Sequence, residues 1–174
     1  CDSMIIYILE DADMAVKEKL YQQTFEDLEK HKADNDAWIY AGRLESAFQD
    51  PGFKERTLSF FRKIIDNENE FEADPYYVQS LILSCIRIMK ELGRAKEEIA
   101  VFRAPYRDMR EIREMELQEA IDEKDYEFAI SMVETWRKKE GLYEHELKRF
   151  SEKLIELYKA AGKMDAYAGE VSYQ

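Results

Sequence analysis

The sequence predicts an all-α fold, an array of antiparallel helix hairpins with about nine helices. Three observations carry this. Good helix formers dominate, with Glu, Lys, Leu, Ala, Met and Arg plentiful. Only 6 Gly and 3 Pro occur in 174 residues, fewer turn-makers than a sheet protein of this size uses. The third is a recurring phrase, a short polar or Gly-containing turn followed at once by an apolar helical pattern. It reads Leu92-Gly93-Arg94-Ala95-Lys96-Glu97-Glu98-Ile99, then Glu123-Lys124-Asp125-Tyr126-Glu127-Phe128-Ala129-Ile130, then Ala161-Gly162-Lys163-Met164-Asp165-Ala166-Tyr167-Ala168. Its register marks, Gly93, Lys124 and Gly162, lie 31 and 38 residues apart. That is the spacing of a helix-hairpin repeat, whose units bury their apolar faces only by stacking.

Met4 to Glu10 is a short apolar segment of one or two helical turns. Asp11 or Asp13 caps the next helix, Met14 to Lys30, with Val16, Leu20, Phe25 and Leu28 near helical spacing. Asp34 or Asn35 caps a third segment whose stripe is Trp38, Ala41, Leu44, Ala47 and Phe48, and Asp50-Pro51-Gly52 ends it. Phe53 to Asp66 follows, with Leu58, Phe61, Ile64 and Ile65 inward. Residues 66–74 are polar and acidic. Asp74-Pro75 then reads as an N-cap with Pro at the first helical position.

Pro75 to Leu92 is the most apolar helix, so it is predicted to be central and contacted on more than one side; Gly93 ends it. Arg94 to Phe102 is short, and Pro105 starts another helix running to about Ile121. Tyr126 to Lys139, a break at Gly141, Tyr143 to Ala161 and a last helix from Met164 complete the series. Short loops throughout predict antiparallel neighbours within one domain spanning residues 1–174. A chain that begins with Cys1 and stops at Gln174 inside a helical pattern reads as a fragment of a longer protein.

Asp125-Tyr126-Glu127-Phe128-Ala129-Ile130 resembles the start of the second helix of a tetratricopeptide repeat, where a small residue such as Ala129 lets two helices approach closely. Tyr158, four residues before Gly162, fits the aromatic position of a first helix. More narrowly, residues 115–171 are similar to helical segments that follow SWIM-type zinc fingers in bacterial proteins of unknown function, through Glu123-Lys124-Asp125-Tyr126, Ala129-Ile130 and Leu157-Tyr158 ahead of Ala161-Gly162-Lys163. Tyr167 and Glu98 stand where the repeat has a small residue, and no Pro closes a unit. The resemblance implies a tetratricopeptide-like α-solenoid acting as a scaffold. It supplies no catalytic residue, and no zinc-finger cysteines accompany it.

A net charge of −12 repels phosphate backbones and argues against nucleic acid as the ligand. The longest apolar run, Met4-Ile5-Ile6-Tyr7-Ile8-Leu9, is far short of the roughly 20 residues that cross a bilayer, so no membrane partner is expected. Cys1 and Cys85 are the only cysteines. They make no disulfide framework and are consistent with a reducing cytoplasm. Cys85 sits in an apolar run as a buried small hydrophobe.

His145-Glu146 begins like the zinc-protease motif HExxH, but the fifth position is Arg149, which cannot ligate zinc. An EF-hand loop starting at Asp66 would place Phe71 where Gly is needed and Tyr77 where the bidentate Glu belongs. No Gly-rich phosphate loop or G-x-S-x-G occurs, and no catalytic, metal or cofactor residue is assigned. The candidate partner-binding residues are Arg103, Arg107, Arg110 and Arg113, the one basic cluster, with Tyr76 and Tyr77 at a helix start. On a helix from Pro105, residues 107, 110 and 113 share a broad face, with Glu111 and Glu114 as i,i+4 partners for Arg107 and Arg110. Trp38, Trp136, Phe61 and Phe128 are read as core. The expected role is a non-catalytic scaffold that binds a protein or peptide. The alternatives are a peptide-sensing domain of a bacterial transcriptional regulator and an all-helical enzyme.

Overall fold

The computed structural model describes residues 9, 12–31, 37–67, 74–138 and 143–173. Cys1, the cap at Asp34 or Asn35, most of the acidic stretch (68–73) and the break at Gly141 lie outside the described residues. Of the first predicted segment only Leu9 is described, and it is buried. Among the described residues there is no strand. Nine α-helices run through them: α1 Met14–His31, α2 Ala37–Ala47, α3 Pro51–Asp66, α4 Pro75–Glu91, α5 Lys96–Arg103, α6 Arg110–Asp122, α7 Tyr126–Arg137, α8 Glu144–Ala160 and α9 Met164–Tyr173. A 3-10 turn, Ala104–Tyr106, follows α5. No described helix is long and apolar enough to cross a membrane. The helices gather into two compact units, residues 1–105 and 106–174.

In the first unit α4 is the buried element. Leu81, Ile82, Cys85, Ile86, Ile88 and Met89 are almost wholly removed from solvent, each large side chain contributing about 1.5–3 kcal/mol by that burial. Helices α2, α3 and α5 all pack on it, as expected of the most apolar helix. Burial pushes the Cys85 thiol up to about 12, so it stays protonated.

Side-chain pairs fix the direction of each neighbour. Lys54 reaches Glu91 at 2.8 Å, which sets α3 antiparallel to α4. Tyr21 meets Phe48 edge-on at 5.1 Å and His31 stacks on Tyr40 at 5.5 Å, so α2 returns along α1. Arg56 to Glu18, Tyr21 to Thr57 and Phe25 against Phe60 have numbers that rise together, so α3 runs parallel to α1. The α2–α4 seam is closed by Glu45, which accepts from Ser84 at 2.7 Å and from Arg87 Nε at 2.5 Å.

Some predicted core positions face out. Val16 is 44% exposed, and Tyr21, fully buried, holds the centre of α1 instead. Trp38 is 63% exposed. The inward face of α2 is built from Ala37, Ala41, Leu44 and Ala47, small residues that let it pack closely, and Trp38 falls about 100° around the helix from Ala37. Phe128, also exposed, lies beside fully buried Ala129 for the same reason. Phe61 is fully buried as expected, and Trp136 is half-buried.

In the second unit α6, α7, α8 and α9 each pack on the next. Their core is Leu117, Ala120, Ala129, Ile130, Met132, Val133, Phe150, Leu154, Leu157 and Tyr158. The pairs Glu134 with Tyr158 and Glu127 with Lys163 run in opposite directions and make α7 and α8 antiparallel.

The recurring phrase of the sequence has a single structural meaning. Gly93, Lys124 and Gly162 are the described residues with positive φ, at 67°, 61° and 71°. Each closes its helix with the same pair of hydrogen bonds. Arg94 N–H donates to Met89 O and Gly93 N–H to Lys90 O; Asp125 N–H to Ala120 O and Lys124 N–H to Ile121 O; Lys163 N–H to Tyr158 O and Gly162 N–H to Lys159 O. This is the Schellman closure. The Asp125 side chain then accepts from Phe128 N–H at 3.1 Å and starts α7. At α4, Asp74 accepts from Tyr76 and Tyr77 N–H with Pro75 in the first position, as predicted. Pro51 likewise opens α3 rather than merely ending α2.

Lys124 pays a backbone cost of about 1 kcal/mol that glycine avoids. Replacing Lys124 by Gly is expected to raise stability by about that amount. Gly162→Ala is expected to lower it similarly, since open space surrounds its Cβ position and only the backbone strain remains. Urea melts of the two variants check both signs.

Candidate functional site

The predicted arginine cluster does not form one helical face. The helix expected from Pro105 begins at Arg110, because Ala104–Tyr106 is a 3-10 turn and Met109 takes the N-cap position. Arg103 therefore ends α5 in the first unit, Arg107 sits in the turn, and only Arg110 and Arg113 lie on α6. Arg107 Nε pairs at 3.1 Å with Glu116, not Glu111, because it approaches from outside the helix. Glu116 is buried. Arg110 pairs with Glu114 at 2.8 Å in the expected i,i+4 manner. The Arg110–Glu114 hydrogen bond keeps that guanidinium firmly protonated. Arg113 stands with Cζ 5.8 Å from the centre of the Trp136 ring. Tyr76 is exposed at 80%, whereas Tyr77 is turned inward and its hydroxyl is buried.

A groove of about 370 Å³ lies on the second unit. Its apolar lining is Leu117 from α6, Val133 and Trp136 from α7, and Phe150 from α8. Trp136 and Phe150 are tilted together with ring centres 6.3 Å apart. Its polar lining is Glu114 and Gln118 from α6 with Arg149, Glu152, Lys153 and Glu156 from α8. Two of the cations are met by neighbouring carboxylates, Arg149 by Glu114 at 3.7 Å and Lys153 by Glu156 at 2.9 Å. Gln118 donates to Asp122. Every ionisable group on the lining is thus a carboxylate, a guanidinium or an ammonium.

The sequence reading missed this groove. Trp136 reads as core from its helical stripe, and the i,i+4 steps of α8, Arg149 with Lys153 and Glu152 with Glu156, look like any solvated helix. The available signal was an aromatic on α7 whose helical position borders, rather than faces, the apolar stripe.

Two polar clamps hold α7 and α8, two of the helices that form the groove. One residue beyond Trp136 and one beyond Phe150, Arg137 and Ser151 both donate to the buried carboxylate of Glu170 on α9, Arg137 Nη1 at 2.6 Å. Burial by itself would raise the Glu170 pKa, but the hydrogen bonds from Arg137 and Ser151 outweigh it and hold the group below 4.5. The second clamp is Tyr158, whose hydroxyl donates to Glu134 at 2.8 Å. Burial, then that hydrogen bond, push its pKa up to about 12.

His145, the start of the zinc-like pattern, stacks on Tyr143 at 5.7 Å. Glu146 accepts from the backbone N–H of Tyr143 at 3.0 Å and so opens α8. Among the described residues no three His, Cys, Asp or Glu side chains converge as a metal ion requires. No protein-family model matches the chain, and neither a characterised protein nor a solved structure proves similar to it.

A carboxylate whose folded pKa is lowered stabilises the protein above its unfolded pKa and loses that contribution as pH falls through the folded value. Glu170, and Glu45 in the first unit, meet this condition. Stability is therefore expected to fall on acidification below about pH 4.5. Glu170→Gln should cost about 1–3 kcal/mol at neutral pH and flatten the acid limb of the second unit. Thermal melts followed by circular dichroism across pH 7 to 3 measure both.

Proposed function

We propose that the chain is a non-catalytic scaffold that binds a protein or peptide, built from tetratricopeptide-like helix hairpins. The observation that carries this reading is the groove on the second unit. It offers an apolar floor with two aromatic rings, carried by α7 and α8, which hydrogen bonds to Glu170 and from Tyr158 hold together. Such a surface can hold a side chain from a partner without rearranging, which keeps the entropy cost of binding low. The hairpin reading is supported by the three Schellman closures, by fully buried Ala129 at the α7 contact, and by α1 running parallel to α3 with α2 between them in sequence.

The arginines contribute little free charge to this surface, since Arg107 and Arg110 are met by Glu116 and Glu114. The Arg110–Glu114 pair is exposed and worth about 0–1 kcal/mol, whereas Arg107 answers the buried carboxylate of Glu116. The test is affinity capture from native extract with three baits: the unmodified chain, Trp136→Ala, and the double reversal Arg107→Glu plus Arg110→Glu. Loss of a buried aromatic anchor costs about 2 kcal/mol or more at an interface, so Trp136→Ala is expected to lose its partner about thirtyfold while the double reversal retains it. Equal capture by all three baits would remove the groove from the argument.

A further inference from the structure

We infer that α9 is a latch: it docks on the α7–α8 pair and leaves it as one unit, held by the Glu170 carboxylate, and its release loosens Trp136 at the groove. The pattern of burial carries this. Helices α7 and α8 sink whole apolar side chains into the core, Ile130 and Val133 from one and Leu154 and Leu157 from the other. Among the described side chains of α9 only Glu170 is buried. Tyr167 lies half-buried against the core, while Met164 is 59% and Val171 46% exposed. A helix that buries so little apolar surface draws little hydrophobic stabilisation from its contact with α8. Elements of that kind open locally at a lower free energy than the core beside them.

The contact that holds α9 is polar, and this makes its two states discrete. Glu170 accepts from Arg137 Nη1 on α7 at 2.6 Å and from Ser151 on α8. A partial opening leaves a buried charge short of a donor, which is the costly arrangement. Complete departure returns Glu170 to water and opens its two donors to it. At ten residues, with Gly169 inside it, α9 is marginal as an isolated helix, so undocking and melting occur together. The latch reaches the groove through Arg137, the last residue of α7, with Trp136 directly before it. Helix ends fray unless they are tied, and the Glu170 ion pair ties this one. With α9 away, the last turn of α7 loses that tie and the Trp136 ring its fixed place beside Phe150. The latch operates whatever the groove binds.

Hydrogen exchange followed by mass spectrometry on the full chain tests this, with Glu170→Gln and Ala168→Pro as variants. The first removes the charge that both donors answer. The second breaks α9 at an exposed position and leaves Glu170 in place. In the native chain residues 164–173 are expected to exchange faster than 150–158, with a weaker dependence on urea. Exchange over 164–173 should rise about tenfold or more in Glu170→Gln and about a hundredfold in Ala168→Pro, while 150–158 stay protected. In a Trp38→Phe background, which leaves Trp136 as the one tryptophan, acrylamide should quench both variants more strongly than their parent. Equal rates and equal urea dependence for 164–173 and 150–158 in the native chain show one cooperative body and overturn the inference. Protection lost over both segments together in either variant does the same. Release of α9 in Ala168→Pro with Trp136 quenching unchanged overturns it as well.

Discussion

The backbone reversal in the left-handed region after α4, α6 and α8 is the constraint on which the rest of the structure depends. Each of these helices is amphipathic and owes most of its stability to a neighbour that covers its apolar stripe. A Schellman closure aims the next helix back along the one just ended, within three residues and without leaving helix-end carbonyls unpaired. Asp125, whose N–H donates the closing hydrogen bond to Ala120 O, also caps the following helix with its side chain. Closure and restart are therefore a single local event, and the pairing of α6 with α7 follows from it.

Where the reversal is not enough, polar contacts to a partly buried carboxylate, Glu45, and a buried one, Glu170, fix the register. Glu45 with Ser84 and Arg87 holds α2 to α4, and Glu170 with Arg137 and Ser151 holds α9 to α7 and α8. A carboxylate sunk in this way is costly unless every partner is present, so these contacts tolerate few alternative arrangements. The second of them adjoins the two aromatic residues of the groove in sequence. Trp136 and Phe150 keep their positions because Arg137 and Ser151, one residue further along, cannot slide.

The groove itself is a product of mismatch between the helices. Helices α6 and α8 both pack on α7, and the space above α7 is floored by Val133 and Trp136. Charged residues on α6 and α8 then compensate one another across or along the walls, Glu114 with Arg149 and Lys153 with Glu156. That leaves an apolar floor inside a charged rim.

The sequence by itself determined the local events. The all-helical class, the order of the helices, the Asp74-Pro75 start, the burial of α4 and the three closures at Gly93, Lys124 and Gly162 were legible, because each depends on residues a few positions apart. The inward faces of α4 and of most of α3 were legible as well, since long runs of branched and aromatic residues leave little choice of face. Only the tertiary structure decided the rest. Trp38 and Phe128 face out because close packing on alanines, at Ala37, Ala41 and Ala129, outweighs the hydrophobicity of a single large ring. Arg107 answers Glu116 rather than Glu111 because Ala104–Tyr106 folds as a 3-10 turn and delays α6 to Arg110. The groove was invisible because its walls come from α6 and α8, more than thirty residues apart, and no periodicity along one helix records how far a second helix stands from it.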